Sequence, residues 1–332
     1  MTLVRDSRGS SSALEAGIAG DAISPRPTLP LAELGRSDPG PRNLGRTPLA
    51  ILRADLSDAR VAGALGFMPR LLVQATLPHR RPLCHELERT NGRVRLKLNA
   101  PHSIGLPYGS YPRLILAWLN TEALRTKSPD LHLGSTLSSF MHKLDLTPVT
   151  GKRGTAQRLC DQLRRLFSTS IRCTNSNEAQ GQVVCVGYTI AHEHQLDWSP
   201  RDPSQGRGWK STITLSDEFF REITTNAVPV DLRALRALKA SPRALDTYTW
   251  LTYRMSYLSK PTLVPWESLR FQFGSAYSRL RDFKRYFLTS LVAVLAVYPK
   301  ARVYQHAQGL FLQPSPSHIS PRSYDRNSTP AY

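Results

Sequence analysis

The chain has 332 residues, 40% hydrophobic and 8% aromatic, enough for about two domains with packed cores. Its longest apolar run, Leu291 to Val297, is far short of the roughly 20 residues that cross a bilayer. Met1 to Gly20 mixes small, polar and charged residues, unlike a secretory signal, so a cytoplasmic protein is expected. The net charge of +19 is unevenly placed: residues 1–65 hold eight Arg against seven acids, which leaves +18 on the remainder. A folded body so charged repels itself unless a polyanion is a regular partner, and nucleic acid is the expected one. An anionic membrane surface competes, but the basic residues are spread through folded-looking segments, not gathered in one polybasic tail.

In chain order, residues 1–65 read as a disordered tail, with Pro25, Pro27, Pro30, Pro39, Pro41 and Pro48 among Gly, Ser and Arg and no sustained period. A short helix over 49–65 is a weak alternative. Met68 is a candidate alternative start, which would make 1–67 an upstream extension. Arg93 to Leu98 alternates as a strand, and Pro112 sits where a helix over 114–125 begins. Residues 130–134 read as extended, 137–144 as a short helix and 156–168 as a third helix with Leu159, Leu163, Leu166 and Phe167 inward. Ile171 to Thr174 and Val183 to Ile190 read as two strands, completing a winged-helix order of parts. Ser211 to Leu215 is another strand, Ser216 caps a helix through Ile223, and Asn226 to Val230 is a candidate linker.

A second module follows. Asp231 caps a helix to Lys239, Ser241-Pro242 precedes the helix carrying Trp250, and Pro265 opens a short helix over 266–273. Gly274-Ser275 makes a turn into a long helix over 277–297, and 301–304 with 310–313 form a wing. Residues 314–332, rich in Pro, read as loose. Trp118 and Trp250 each stand 11 residues before a Pro break (Pro129, Pro261) and 19 before an apolar helix start (Leu137, Leu269). The expected fold is therefore α+β and helix-rich, with two tandem winged-helix (helix-turn-helix) domains. The expected boundaries are 66–228 for the first domain, 229–316 for the second and 317–332 for a flexible C-terminal tail.

Helix period divides the last long helix. Leu280, Phe283 and Phe287 share a buried stripe, while Ser278, Arg281 and Arg285 lie opposite, flanked by Arg279 and Lys284. Arg forks on such a face suit base edges, and flanking cations suit phosphates, so Arg281 and Arg285 are expected to read bases and Lys284 to meet phosphate. A solvated surface helix shows the same division. In the first module the outward strip holds Gly154, Gln157, Arg158, Asp161, Arg165 and Ser168. Lys152 and Arg153 precede it, where they would hold phosphate beside the helix N-terminus, with Gly154 permitting close approach. An ordinary loop over 151–154 is the alternative.

Several blocks resemble those of RepA-type plasmid replication initiators: Leu106-Pro107-Tyr108-Gly109, Leu116-Ala117-Trp118-Leu119, Ser211 to Leu215, Phe219 to Ile223, Pro229 to Leu235, Trp250 to Leu258 and Leu280 to Lys284. The blocks keep the family's order from about residue 93 to 316. The resemblance implies two winged-helix domains that bind directly repeated origin sequences (iterons) in duplex DNA. It further implies opening of an adjacent AT-rich tract, recruitment of host helicase and polymerase, and a homodimer in equilibrium with a monomer. Residues 1–65 have no counterpart in it.

Enzymatic chemistry is not expected, and neither is a cofactor or a metal. His192-Glu193-His194 is the nearest thing to the metal pair of a nicking endonuclease, but Glu193 interrupts the pattern. Gly206 to Ser211 lacks the glycine-lysine adjacency of a phosphate loop because Trp209 intervenes. A repressor without initiator activity is the alternative with the same fold. Of the cysteines, Cys84, Cys160, Cys173 and Cys185, none is spaced for zinc, and Cys160 and Cys185 read as reduced core residues.

Overall fold

The computed structural model describes residues 58–92, 94–177, 182–196, 198, 201–204, 211–273 and 277–320. The chain begins with β1 (Leu65–Pro69), α1 (Arg70–Gln74) and the hairpin β2 (Glu86–Asn91) and β3 (Val94–Asn99). Next comes α2 (Ser110–Thr126), which starts after Gly109 at φ +78 and stops at Lys127, a left-handed residue at φ +56. β4 (Asp130–Gly134) leads to α3 (Leu137–Lys143), whose first turn is capped by the Thr136 hydroxyl accepting from the Ser139 amide at 3.0 Å. α4 (Thr155–Phe167) follows, and then four strands: β5 (Ser170–Asn177), β6 (Gln182–Thr189), β7 (Ala191–Gln195) and β8 (Ser211–Leu215).

Ser216 caps α5 (Asp217–Asn226) through the Phe219 amide at 3.2 Å, and Asp217 and Glu218 complement the positive end of its dipole. β9 (Ala227–Asp231) leads to α6 (Leu232–Leu238), capped by Asp231. α7 (Pro242–Tyr257) starts on a Ser241 cap with Pro242 in its first turn, where a missing N–H costs nothing. β10 (Thr262–Pro265), α8 (Trp266–Phe273), α9 (Leu280–Val297), β11 (Arg302–Gln305) and β12 (Gly309–Gln313) complete the order.

One arrangement occurs twice. In the first half, α2, β4, α3 and α4 precede β7 and β8, and the sheet runs β4-β8-β7. In the second half, α7, β10, α8 and α9 precede β11 and β12, and the sheet runs β10-β12-β11. Each time the last strand lies between the other two, antiparallel to both. The matched tryptophans also act alike: Trp118 meets Phe140 edge-on at 5.1 Å, and Trp250 meets Phe273 edge-on at 5.7 Å. Leu137 and Leu269 are both fully buried.

The structure corrects several expectations. The β5–β6 hairpin does not close the sheet containing β4; it pairs through β5 with β3 in the order β2-β3-β5-β6, and β7–β8 takes the other role. Residues 226–230, expected as a linker, run into β9, which pairs along its whole length with β1. The described end of the supposedly disordered 1–65 tail is a turn over 59–63 leading into β1, with Ala59 buried. Residues 1–57, with the first part of the helix expected over 49–65, lie outside the described residues; the rest of that stretch is turn and strand, not helix. Residues 314–320 are not loose: Ile319 is buried, the Tyr298 hydroxyl donates to Pro316 O at 2.7 Å, and His318 Nδ1 meets the Tyr248 hydroxyl at 2.8 Å. The expected flexible tail from 317 thus begins with packed residues. Cys185 is exposed on β6, while Cys173 is the buried cysteine and Cys160 is half-buried.

Elements from the two halves meet at a buried ion pair. Arg113 of α2 donates to both carboxylate oxygens of Asp246 of α7 at 2.6 Å, and His79 Nε2 lies 2.8 Å from the same group. The Lys239 ammonium adds a second tie, bonding the carbonyl and the carboxylate of Asp145. Among the described residues no helix is long and apolar enough to cross a membrane.

Candidate nucleic-acid interface

The exposed face of α9 follows from what its other face must bury. Phe283 and Phe287 are fully buried among Phe273 and Trp266, with Phe273 and Phe287 centroids 5.1 Å apart. Aromatic edge contacts of this kind add about 0.5–1.5 kcal/mol each beyond area burial and fix the helix's rotation. Ser278, Arg279, Arg281 and Arg285 are then exposed, and Leu280 is half-buried against the core. Arg281 has only a marginal ion contact, 4.0 Å to Asp282. Lys284 is half-buried, with its ammonium 5.3 Å from the Trp266 ring centroid and 3.4 Å from Ala307 O at the β11–β12 turn. Of the five cationic or polar residues expected here, Arg281 and Arg285 are exposed on α9, Ser278 and Arg279 are exposed just before it, and Lys284 is half-buried at its edge. The Gly274-Ser275 turn lies outside the described residues.

In the first module the expected set divides. Lys152, Arg153, Gln157 and Arg158 are exposed around the start of α4, with Arg158 6.0 Å over the Tyr111 ring. Arg165 is not on that surface. It is 8% exposed, bonds Asp161 at 2.8 Å and lies 5.5 Å over the Tyr108 ring. Arg164, one position earlier, is the exposed cation of the last turn. Helical period alone does not separate 164 from 165; the Tyr108 ring and the Asp161 carboxylate do.

Gly154 is also corrected. It is buried, and a Cβ there would lie 2.2 Å from Val149 O and 2.5 Å from Thr150 O, so its close approach is to the protein's own backbone. The preceding loop folds onto the helix start: Thr155 Oγ1 accepts from the Val149 amide at 2.8 Å and donates to Thr147 O at 2.6 Å. The Ala156 amide bonds Val149 O at 3.2 Å, so one of the free N–H groups expected to face phosphate is already used. Lys152 and Arg153 project from this pinned turn beside Gly151 at φ +95.

His192 and His194 do not form the paired ligands of a simple strand. Ala191 pairs with Leu215 and Glu193 with Thr214, which leaves His192 as the extra residue of a bulge. The His194 ring packs 5.1 Å from Phe167. Among the described residues no group of three or more His, Cys, Asp or Glu is placed to hold a metal ion. Residues 206–210, compared in sequence with a phosphate loop, lie outside the described residues.

Residues 106–266 match the family described as plasmid encoded RepA protein. The matched segment, just under half of the chain, is thus similar to the RepA plasmid replication initiators. Two solved structures of domains 2 and 3 of RctB resemble the chain in fold, each at 10% identity. One has a TM-score of 0.47 and covers 76% of this chain and 99% of its own; the other has a TM-score of 0.43 and covers 73% and 94%. A comparison with curated proteins gives no match.

The RepA segment ends at the first residue of α8, so the whole of α9 lies beyond it. Arg243, which the sequence reading did not single out, reaches from α7 to Tyr277 just before α9 and to Tyr286 within it. Nothing local in the sequence marks that contact, because it joins residues 34 and 43 positions apart.

Proposed function

We propose that this RepA-like chain initiates plasmid replication by gripping directly repeated origin sequences in duplex DNA with two winged-helix modules. The observation that carries the reading is the doubled sheet, in which a strand between helices pairs with a later hairpin whose last strand is central, the first half inserting β5–β6 before that hairpin, in a chain of net charge +19. In such a module the second helix of the pair, here α4 or α9, lies in the major groove and the strand hairpin approaches the backbone. The exposed Arg281 and Arg285 of α9 favour that placement, with Arg281 directed at base edges and the half-buried Lys284 at phosphate. Gln157 and Arg158 on α4, with Lys152 and Arg153 in the turn before it, are the corresponding set. The reading is non-enzymatic. Opening of an AT-rich tract, recruitment of host helicase and a monomer–dimer equilibrium belong to the same proposal, carried by the family.

The test is permanganate reactivity of a supercoiled plasmid carrying its own origin, with purified protein added. Reactive thymines in an AT-rich tract beside protected direct repeats are the expected result. Protected repeats without reactive thymines would mean a repressor, and conversion of the plasmid to open circles would mean a nicking enzyme dependent on His192 or His194.

A further inference from the structure

Arg243 and Arg285 converge on one aromatic ring with no acid between them. The Arg285 guanidinium lies 4.7 Å from the Tyr286 centroid, and the Arg243 guanidinium lies 5.7 Å from it. Tyr277 stacks on Tyr286 at 5.1 Å with 16° between the planes, and Arg243 is also 5.4 Å from the Tyr277 centroid. Arg243 belongs to the first turn of α7, while Tyr277 lies just before α9 and Tyr286 within it. The cluster therefore ties together the approaches of two helices.

A guanidinium has five N–H groups. Arg243 uses one on the Tyr277 hydroxyl at 2.9 Å and one on the Tyr286 carbonyl at 3.4 Å, and its Nε is buried without a partner among the described residues. One N–H on each terminal nitrogen stays uncommitted. Among the described residues no carboxylate lies within ion-pair distance of Arg243, Arg279 or Arg285; the nearby acid, Asp282, is 4.0 Å from Arg281. Two cations on one ring repel, and stacking on the ring offsets that only in part. An oxyanion between them would remove the repulsion and take up the free donors in the forked geometry that phosphate matches.

We propose that Arg243 and Arg285, held by the Tyr277–Tyr286 stack, form a clamp for one DNA backbone phosphate beside α9. The proposal rests on the reading of α9 as a helix that enters the DNA groove. It moves Arg285 from base readout to the backbone and adds Arg243, a residue of another helix, to the interface. Arg281 is then the base-reading arginine of this helix.

The test uses the full-length chain, a duplex carrying one origin repeat with its single-base variants, and an unrelated duplex, titrated over a range of salt concentrations. Arg243→Gln and Arg285→Gln should each reduce the slope of log K against log salt by about one unit. The ranking of the single-base variants should stay unchanged, and Arg243→Lys should keep the slope. Phosphate contacts carry no sequence information, so the same reduction should appear on the unrelated duplex. That arm separates the two ideas: loss of repeat preference by the wild-type chain would sink the proposed function and leave the clamp standing. An unchanged slope for Arg285→Gln, or for a folded Arg243→Gln, would overturn the clamp. So would a changed base ranking in Arg285→Gln, an exposed position that can be read even if the Arg243 variant fails to fold.

Discussion

Arg113 and Asp246, 133 residues apart, face each other with Nε on Oδ1 and Nη2 on Oδ2, both at 2.6 Å. The guanidinium also donates to Gly109 O and Leu77 O, at 2.6 and 2.7 Å, so the pair is solvated by backbone in place of water. Its position between α2 and α7 means that the two repeated units share one buried charge network. Removing one partner of a buried pair leaves the other charge stranded, at a cost of about 3–5 kcal/mol. Asp246→Asn should therefore lower stability by that order in urea unfolding. An apolar replacement of both residues, Arg113→Met with Asp246→Leu, should cost much less than the two single changes summed. Additive losses would mean that the pair does not act as a unit.

The chain should lose stability as pH falls from 7 to about 5. Burial lowers the His79, His318 and His194 pKa values from the ordinary 6.5, and for His79 the bond to Asp246 offsets part of that effect. With the folded values depressed, the unfolded chain binds more protons, so the contribution is full above pH 6.5 and is lost below it. Asp246 adds a later loss: burial raises its pKa, but Arg113 and His79 more than reverse this and hold it below 3.8. A melting temperature that does not change between pH 7 and 5 would contradict this account.

Arg165 and Arg158 should separate cleanly when mutated, although they lie on the same helix. Arg165→Ala removes a buried cation from Asp161 and Tyr108 and should cost about 1–3 kcal/mol of stability while leaving the salt slope of DNA binding alone. Arg158→Ala should do the reverse, lowering the slope by about one unit with little change in melting. Equal effects on the slope would restore Arg165 to the interface.

Gly154→Ala tests the pinned turn before α4. The added methyl would meet Val149 O at 2.2 Å, so the 147–154 loop must shift, at a cost of about 1–3 kcal/mol. Lys152 and Arg153 move with it, and DNA affinity should fall with stability. An unchanged melting temperature and affinity would show that the turn yields freely.

Arg281→Ala should weaken binding by about 1–3 kcal/mol and relax discrimination at one base position. Lys152→Ala and Lys284→Ala should instead weaken all sequences alike and lower the salt slope by about one unit each. Competition binding against single-base variants reads both effects. Uniform weakening by Arg281→Ala would move that residue to the backbone.

Local signals in the sequence were sufficient for some elements and silent for others. Caps at Ser216 and Asp231, and the stripes at Leu159–Leu163–Leu166 and Phe283–Phe287, locate helices because capping and period act within a few residues. The matched Trp118 and Trp250 reveal the doubling for the same reason. β10 is four residues long, too short for an alternation to register, and β1 is identified only by pairing with β9. The partner of β5 is β3, across the whole of α2, α3 and α4, which no local pattern encodes. The solvent-facing side of α9 was legible because its buried stripe, Phe283 and Phe287, is unambiguous. Arg165 was not, because the one-residue ambiguity between 164 and 165 was resolved by Tyr108, far away in sequence.

The central claim is that each module contributes its own helix to DNA. A hydroxyl-radical footprint of the full-length chain on one origin repeat tests it, run beside Arg281→Ala and a Gln157→Ala/Arg158→Ala variant. The account predicts two protected patches about one helical turn apart, roughly 10 base pairs, with Arg281→Ala weakening one and the α4 variant weakening the other. A single protected patch, lost alike in both variants, would contradict it.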